Sequence, residues 1–303
     1  MDPIPILTGP TAVGKTELGH RIASEIDAEI ISADSRQVYR ELNVGTAKPD
    51  ERALQQVPHH FINERSLVEP YSAGIFQREA YLRIEEIHAR GHAVLVVGGS
   101  TLYVRALKVG LAQIPDVPRE VRSSVMRRLE TEGASVLYEE LQSIDPRAAE
   151  SLDPTKTQRL VRAIEVYQAT GKPLSSYHAQ QSLPDYAFRT VVLWRDRHML
   201  YDRINRRVDA MLARGLVDEV RSLLAADFDL SINPLRTIGY NEALSFLRDE
   251  VSHEEMRRLI KRNTRRYAKR QLTWFRRDEE NVWIDAAQDP ETLREQVLAV
   301  FRA

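Results

Sequence analysis

The string that constrains this chain most lies at residues 9–16, Gly-Pro-Thr-Ala-Val-Gly-Lys-Thr, which has the pattern Gly-x-x-x-x-Gly-Lys-Thr. It sits between a short apolar run at residues 4–7 and a helical pattern at residues 17–26. A strand that feeds a glycine-rich loop and then a helix aims several backbone N–H groups at one phosphate. Gly9 and Gly14 let the backbone curl. Lys15 adds a point charge, the Thr16 hydroxyl can hold Mg²⁺, and the helix N-terminus adds its dipole. The string predicts a diphosphate or triphosphate cradle built from Gly9, Pro10, Thr11, Ala12, Val13, Gly14, Lys15 and Thr16. It leaves open what happens to the phosphate.

The residues that follow extend the pattern. Residues 29–32 and 93–97 are apolar runs with strand character, and residues 73–90 and 100–108 carry helical periodicity. Near-continuous apolar strands alternating with helices predict an α/β fold, a P-loop NTPase-like parallel sheet with helices on both faces. Ligands gather at the carboxyl ends of such strands. The phosphate loop, Asp34 and residues 98–100 all fall there, so they are expected to share one cleft. From Pro115 the texture changes to proline-punctuated helices at 119–132, 135–144, 148–152 and 157–170. The reading is a core domain of residues 1–114 and 186–303, with a helical insertion domain at 115–185. Strand character returns at 190–194, followed by a long helix at 198–224 that is broken or kinked near Gly215.

A chain of 303 residues has room for such a core and insertion. No apolar run approaches the length of a membrane span, and the N-terminus shows no signal-peptide pattern. With no cysteine, a disulfide framework, a thiolate metal site and a thiol nucleophile are excluded. That fits a cytoplasmic protein acting without a membrane. The formal net charge of −1 does not point to nucleic acid; the distribution of charge does.

Asp34 ends the second strand and opens the string Asp34, Ser35, Arg36, Gln37. It could hold Mg²⁺, or act as a general base on a nucleophile brought to the phosphorylated substrate. For an isolated aspartate an ordinary turn or N-cap would be the better reading. The hydrogen-bonding groups of Ser35, Arg36 and Gln37 suit recognition of a polar planar partner. The strand at 93–97 lacks the terminal acid of a motor ATPase or GTPase and ends instead in Gly98, Gly99 and Ser100. These residues serve equally as a tight strand-to-helix turn with Ser100 as N-cap.

Residues 257–277 hold ten Arg or Lys side chains within a run that has no acid. On a helical projection Arg258, Lys261, Arg262, Arg265, Arg266, Lys269 and Arg270 fall on one side. Ile260, Thr264, Tyr267, Gln271, Trp274 and Phe275 fall on the other, where they can pack on the sheet. A solvated helix normally mixes charge signs along its face. A one-signed face repels itself unless a polyanion covers it, which points to nucleic acid. Upstream, Arg236, Gly239 and Tyr240 supply an arginine, a flexible residue and an aromatic suited to a backbone phosphate or an unstacked base.

Together these strings resemble the tRNA dimethylallyltransferase family. The resemblance runs through residues 9–16, Ile-Ser-Ala-Asp-Ser-Arg-Gln-Val-Tyr at 31–39, and Gly-Thr-Ala-Lys-Pro at 45–49. It continues through Gln-Arg-Leu-Val-Arg-Ala-Ile-Glu-Val at 158–166, Thr-Gly-Lys-Pro at 170–173, residues 236–240, and Ala-Lys-Arg-Gln-Leu-Thr-Trp-Phe-Arg at 268–276. It therefore covers nearly the whole chain in order. One departure is visible: the family commonly has Thr after the Gly-Gly pair, whereas this chain has Ser100.

The resemblance implies transfer of the dimethylallyl group from dimethylallyl diphosphate to N6 of adenosine 37 in the tRNA anticodon loop, with release of diphosphate. It implies that the phosphate loop binds the diphosphate with Mg²⁺ on Thr16, and that Asp34 accepts the N6 proton. It further implies that Ser100 orients donor or acceptor and that Arg221 contacts the diphosphate. The tRNA anticodon stem-loop would be gripped by Asp34, Ser35, Arg36 and Gln37. Arg122, Gln158, Arg159, Leu160, Val161 and Arg162 would clamp it from the insertion, and Arg236, Gly239, Tyr240, Lys269 and Arg270 would complete the contact. The enzyme is expected to work as a monomer. His59 and His60 lack metal-ligand spacing and read as structural. Three alternatives compete with this reading: a small-molecule kinase, an isopentenyltransferase acting on free adenylate, and a non-catalytic RNA-binding module.

Overall fold

A computed structural model describes residues 2–179, 184–226, 228, 232 and 234–303. By its internal contacts the chain divides into two units, Met1–Lys108 with Asp185–Ala303, and Val109–Pro184. The first boundary lies at Val109 rather than at residue 115, because the helix after the fourth strand ends there and residues 110–118 form neither helix nor strand.

The larger unit holds strands β1 (Ile4–Thr8), β2 (Ala28–Ser32), β3 (His59–His60), β4 (Ala93–Val97), β5 (Phe188–Trp194) and β6 (Val282–Asp285). They form one sheet in the order β3-β2-β4-β1-β5-β6, every pairing parallel. All five residues of β2 are buried, as expected for a central strand covered on both faces. Helices α1 (Lys15–Glu25), α2 (Glu51–Gln56), α3 (Ala73–Ala89) and α4 (Thr101–Val109) follow the early strands. The parallel arrangement brings every strand's carboxyl end to one edge, so the residues after β1, β2, β4 and β5 are neighbours.

In the smaller unit α5 (Arg119–Glu132), α6 (Ala134–Ile144), α7 (Pro146–Ser151), α8 (Thr157–Thr170) and α9 (Leu174–Ala179) surround their own core of Val125, Leu137, Leu141, Leu160, Val161 and Ile164. No strand occurs among its described residues. The larger unit resumes with α10 (Arg197–Ala213), α11 (Leu216–Ala225), α12 (Tyr240–Leu247), α13 (His253–Phe275) and α14 (Pro290–Arg302). The expected break in the long helix is present. Gly215 takes a left-handed φ of 91° between α10 and α11, a conformation that side chains resist. In α13, Ser252 caps the N-terminus by accepting from the Glu255 N–H, and Glu254 and Glu255 oppose the positive end of the helix dipole. No helix among the described residues is long and apolar enough to cross a membrane.

Candidate active site

The carboxyl edge of the sheet opens into a cleft of about 840 Å³. The loop from β1 to α1 forms its floor. Gly9 has φ 142°, and a Cβ there would lie 2.4 Å from the Leu193 carbonyl oxygen of β5, so no other residue fits. Gly98 plays the same part on the other side of β1: a Cβ would lie 2.2 Å from the Ala33 carbonyl oxygen. These two close approaches bring the loop, the end of β2 and the end of β4 into one site.

Within the loop, Lys15 Nζ donates to the carbonyl oxygens of Gly9 at 3.0 Å and Pro10 at 2.8 Å. Burial depresses the Lys15 pKa to about 7, with Arg207 pushing in the same direction and Asp34 pulling it back. A diphosphate in the cradle would reverse that shift and hold the ammonium charged. Thr11, Ala12, Gly14 and Thr16 line the cleft, whereas the Val13 side chain is fully buried and contributes only backbone.

At the end of β2, Asp34 Oδ1 accepts from the N–H groups of Arg36 at 2.9 Å and Gln37 at 3.4 Å. The aspartate therefore shapes the turn, and Oδ2 has no hydrogen-bond partner among the described residues. Arg36 is itself held, with Nε donating to Thr237 Oγ1 at 2.5 Å. Gln37 Nε2 donates to the carbonyls of Thr46 at 3.3 Å and Ala47 at 3.4 Å. Ser100 follows the Gly-Gly pair, and its N–H donates to the Ala33 carbonyl at 3.1 Å, next to Asp34. Ser35, Arg236 and Gly239 complete this part of the wall.

Arg221 does not reach the cleft. It is exposed on α11 and paired with Asp218 one turn earlier. The arginines of α10 do reach it, since Arg203, Arg206 and Arg207 line it, while Arg195 after β5 braces the phosphate loop. Arg195 Nε donates to the Val13 carbonyl at 3.0 Å, Arg203 Nε to the Ala12 carbonyl at 2.8 Å, and Arg207 Nη2 to the Thr46 carbonyl at 3.5 Å. The missed signal was spacing. Leu200, Ile204, Val208 and Met211 are the buried stripe of α10, and Arg203 and Arg207 stand one position before Ile204 and Val208 on its flank.

Tyr240 is a further correction. Its ring is 2% exposed and lies where a Cβ on Gly45 would fall, 2.4 Å away, so it offers no face for stacking a base. Its hydroxyl donates to Glu219 Oε1 at 2.6 Å, and the Glu219 carboxylate also accepts the N–H groups of Asn43, Val44 and Gly45. Tyr240 and Glu219 thus fix the loop that receives Gln37.

Another correction concerns α13. Its run of cations is not free of acid in space. Asp209 of α10 accepts from Arg257 Nε at 2.7 Å and Lys261 Nζ at 2.8 Å, and Glu255 pairs with Arg258. The self-repulsion expected from the sequence is relieved over that half. Arg266, Lys269 and Arg270 are exposed and have no acid partner among the described residues. The opposite face does not simply pack on the sheet: Ile260, Thr264, Tyr267 and Gln271 form a wall of the cleft. Gln271, a second residue whose role the sequence does not reveal, touches the phosphate loop directly, with Oε1 accepting from Thr11 N–H at 2.9 Å. His60 is structural, bonded to the buried Glu29 at 2.6 Å, while His59 lies on the cleft wall.

In the helical unit, Leu160 and Val161 are fully buried core residues and present no surface to a ligand. Arg122 and Arg162 both bond the buried carboxylate of Glu165, at 3.1 Å and 2.8 Å. Gln158 and Arg159 lie on the first turn of α8, Arg159 exposed.

A buried lysine in a glycine loop, an aspartate with one unbonded oxygen and the arginines of α10 at the carboxyl edge of a parallel sheet place the chain in the class of P-loop-like α/β proteins. The chain belongs to the IPP transferase family, whose model matches residues 37–278. A tRNA dimethylallyltransferase of Salinibacter ruber is 55% identical over 302 residues, covering 99% of this chain and 92% of that protein. The crystal structure of a full-length tRNA isopentenylpyrophosphate transferase from Bacillus halodurans is similar with a TM-score of 0.72 and 35% identity, over 100% of this chain and 97% of that one. A eukaryotic dimethylallyltransferase acting on tRNA reaches a TM-score of 0.82 at 29% identity, over 98% of this chain and 77% of that one.

Proposed function

We propose that the protein transfers the dimethylallyl group of dimethylallyl diphosphate to N6 of an adenosine in the tRNA anticodon loop. The observation that carries this reading is the meeting of two surfaces at one cleft. One is the phosphate loop with Lys15 and Arg207; the other is Asp34 on the rim beneath α13, whose outer end is basic. Membership of the IPP transferase family and the names of the relatives support it.

In this reading the C1–O bond of the donor breaks, its electron pair leaves with the diphosphate, and a bond forms between C1 and N6. The N6 proton passes to Asp34, whose Oδ2 is unbonded while Oδ1 is held by the turn. The loop N–H groups, Lys15, Arg203 and Arg207 stabilise charge as it develops on the diphosphate, which is where electrostatic catalysis has most effect. Ser100 orients one of the reacting groups beside Asp34. Arg36 and Gln37, each fixed by a second loop, hold the extracted base in place.

The residues fit Mg²⁺ carried in with the donor. No group of three or more His, Asp or Glu side chains among the described residues could hold a metal, and Mg²⁺ commonly relies on substrate phosphates, water and one or two protein oxygens. Thr16 is the residue that would hold it, and the ion would neutralise charge on the leaving diphosphate. Arg159 of the helical unit and Arg266, Lys269 and Arg270 of α13 supply contacts to RNA phosphates. The same reading takes the enzyme as a monomer in the cytoplasm.

Mass analysis of an anticodon stem-loop incubated with dimethylallyl diphosphate and Mg²⁺ tests the reading. The expected product is heavier by one dimethylallyl group, with diphosphate released. Prenylation of free AMP as well as of the stem-loop would overturn the RNA assignment. Phosphorylation of a small acceptor from ATP would overturn the reaction.

A further inference from the structure

Gln271 lies inside α13 and is 2% exposed. Its amide makes two bonds at once: Oε1 accepts from Thr11 N–H at 2.9 Å, and Nε2 donates to the Gly99 carbonyl at 2.7 Å. A flipped amide would set donor against donor and acceptor against acceptor, so the orientation is fixed. The two partners belong to different loops. Thr11 is in the phosphate loop after β1, and Gly99 precedes Ser100 after β4. A Cβ on Gly99 would lie 2.8 Å from Gln271 Nε2 and 3.4 Å from Lys15 Nζ, so the amide, the glycine and the lysine are in one tight group.

The preceding residues Arg266, Lys269 and Arg270 are exposed cations of the same helix with no acid partner among the described residues. One rigid element therefore carries an outer face suited to RNA and an inner side chain bonded to the donor cradle. Building on the proposed function, we propose that Gln271 is a positioning residue that couples the two substrates. RNA held on α13 holds Gln271 in that arrangement, which keeps the Thr11 N–H and the Gly99–Ser100 turn in the geometry that receives the diphosphate. By thermodynamic reciprocity, the donor must strengthen RNA binding by the same factor.

The test measures binding of inorganic diphosphate by calorimetry, with and without an anticodon stem-loop, in the full-length protein. Wild type is expected to bind diphosphate on the order of tenfold more tightly when RNA is present. In Gln271→Met, which keeps the volume and removes both bonds, that ratio should fall to about one. A residue that only supported the fold would weaken both affinities and leave their ratio intact, so persistence of the ratio in Gln271→Met overturns the proposal. A ratio of one in wild type, with both ligands bound, overturns it while leaving the proposed function standing. Failure of wild type to bind either ligand overturns both. Should Gln271→Met not fold, Gln271→Glu is read in the same way, since it keeps the Thr11 bond and makes the Gly99 contact repulsive.

Discussion

Two sets of arginines in this protein look alike in sequence and differ in what surrounds them. In the helical unit, Arg122 and Arg162 close on one buried carboxylate, Glu165. In the cleft, Arg203 and Arg207 donate to backbone carbonyls at the phosphate loop and its neighbour. A carbonyl accepts a hydrogen bond without cancelling a unit charge, so the partners of the cleft arginines cancel none of their charge, whereas Glu165 cancels one of the two charges beside it. Compensated charge stabilises a fold, and uncompensated charge in a cleft awaits an anion. The same division runs along α13, whose first half is answered by Asp209 and Glu255 while Arg266, Lys269 and Arg270 have no acid partner among the described residues.

The largest effects are expected where the cleft's chemistry is removed outright. Asp34→Asn keeps an oxygen for the turn and takes away the proposed base, so kcat should fall about 10²–10⁴-fold with RNA affinity largely kept. Arg207→Ala should lower kcat by about 10²–10³-fold, the range seen when one donor to a developing negative charge is removed. Single-turnover transfer to a stem-loop reads both. If Arg207→Ala turned over at the wild-type rate, the cleft cations would be no different in kind from those around Glu165.

The matching experiment in the helical unit removes compensation. Arg122→Ala with Arg162→Ala leaves Glu165 buried and unpaired, which costs about 3–5 kcal/mol when a buried pair is broken. Hydrogen exchange in α5 and α8 should rise, while inorganic diphosphate binding stays unchanged. A double variant with wild-type exchange but weakened RNA binding would show that these arginines serve the ligand before the fold.

Most of the architecture was legible because it follows from periodicity. Strands β1, β2 and β4, the helices at 119–132 and 157–170, and the break at Gly215 lie where apolar spacing, proline and glycine put them. The short strands β3 and β6 were not legible. Two residues carry no period, and β6, whose Val282 is 39% exposed, is an edge strand. The phosphate loop and Asp34 could be found because their chemistry is local in sequence. Arg203, Arg207 and Gln271 could not, since their partners Ala12, Thr46 and Thr11 are remote in the chain and meet them only through the fold. Tyr240 misled for the opposite reason: an arginine, a glycine and a tyrosine close together suit an exposed loop, but Glu219 and Gly45 draw the ring inside.

Charge that awaits an anion should also be visible through pH. The Lys15 pKa is lowered to about 7, so the group is protonated below that value and neutral above it. Diphosphate binds the ammonium form and raises its pKa, so binding takes up a proton above pH 7. Affinity for inorganic diphosphate should therefore fall by about tenfold per pH unit above 7, until the bound-state pKa is reached. Lys15→Met should bind weakly and lose this slope; a slope that survives the substitution would assign the titration elsewhere. A smaller contrast is expected within α13. Replacing Arg266, Lys269 and Arg270 by Ala should reduce the salt dependence of stem-loop binding by about 0.7 for each phosphate no longer neutralised. Arg257→Ala with Lys261→Ala should leave that slope alone.

The smallest expected effect is the most direct check on the comparison itself. Arg221 and Arg207 are both helical arginines in the larger unit, and sequence resemblance favours the first as a diphosphate ligand. Arg221 is exposed and paired with Asp218 along its own helix, whereas Arg207 lies against the cleft, where it shifts Lys15 and feels Asp34. Arg221→Ala should leave the transfer rate within about twofold of wild type and change stability by less than about 0.5 kcal/mol, as surface substitutions usually do. A drop in rate like that expected of Arg207→Ala would mean that α11 swings toward the donor during the reaction. The static division between compensated and uncompensated charge would then fail at the residue where it disagrees most sharply with the sequence.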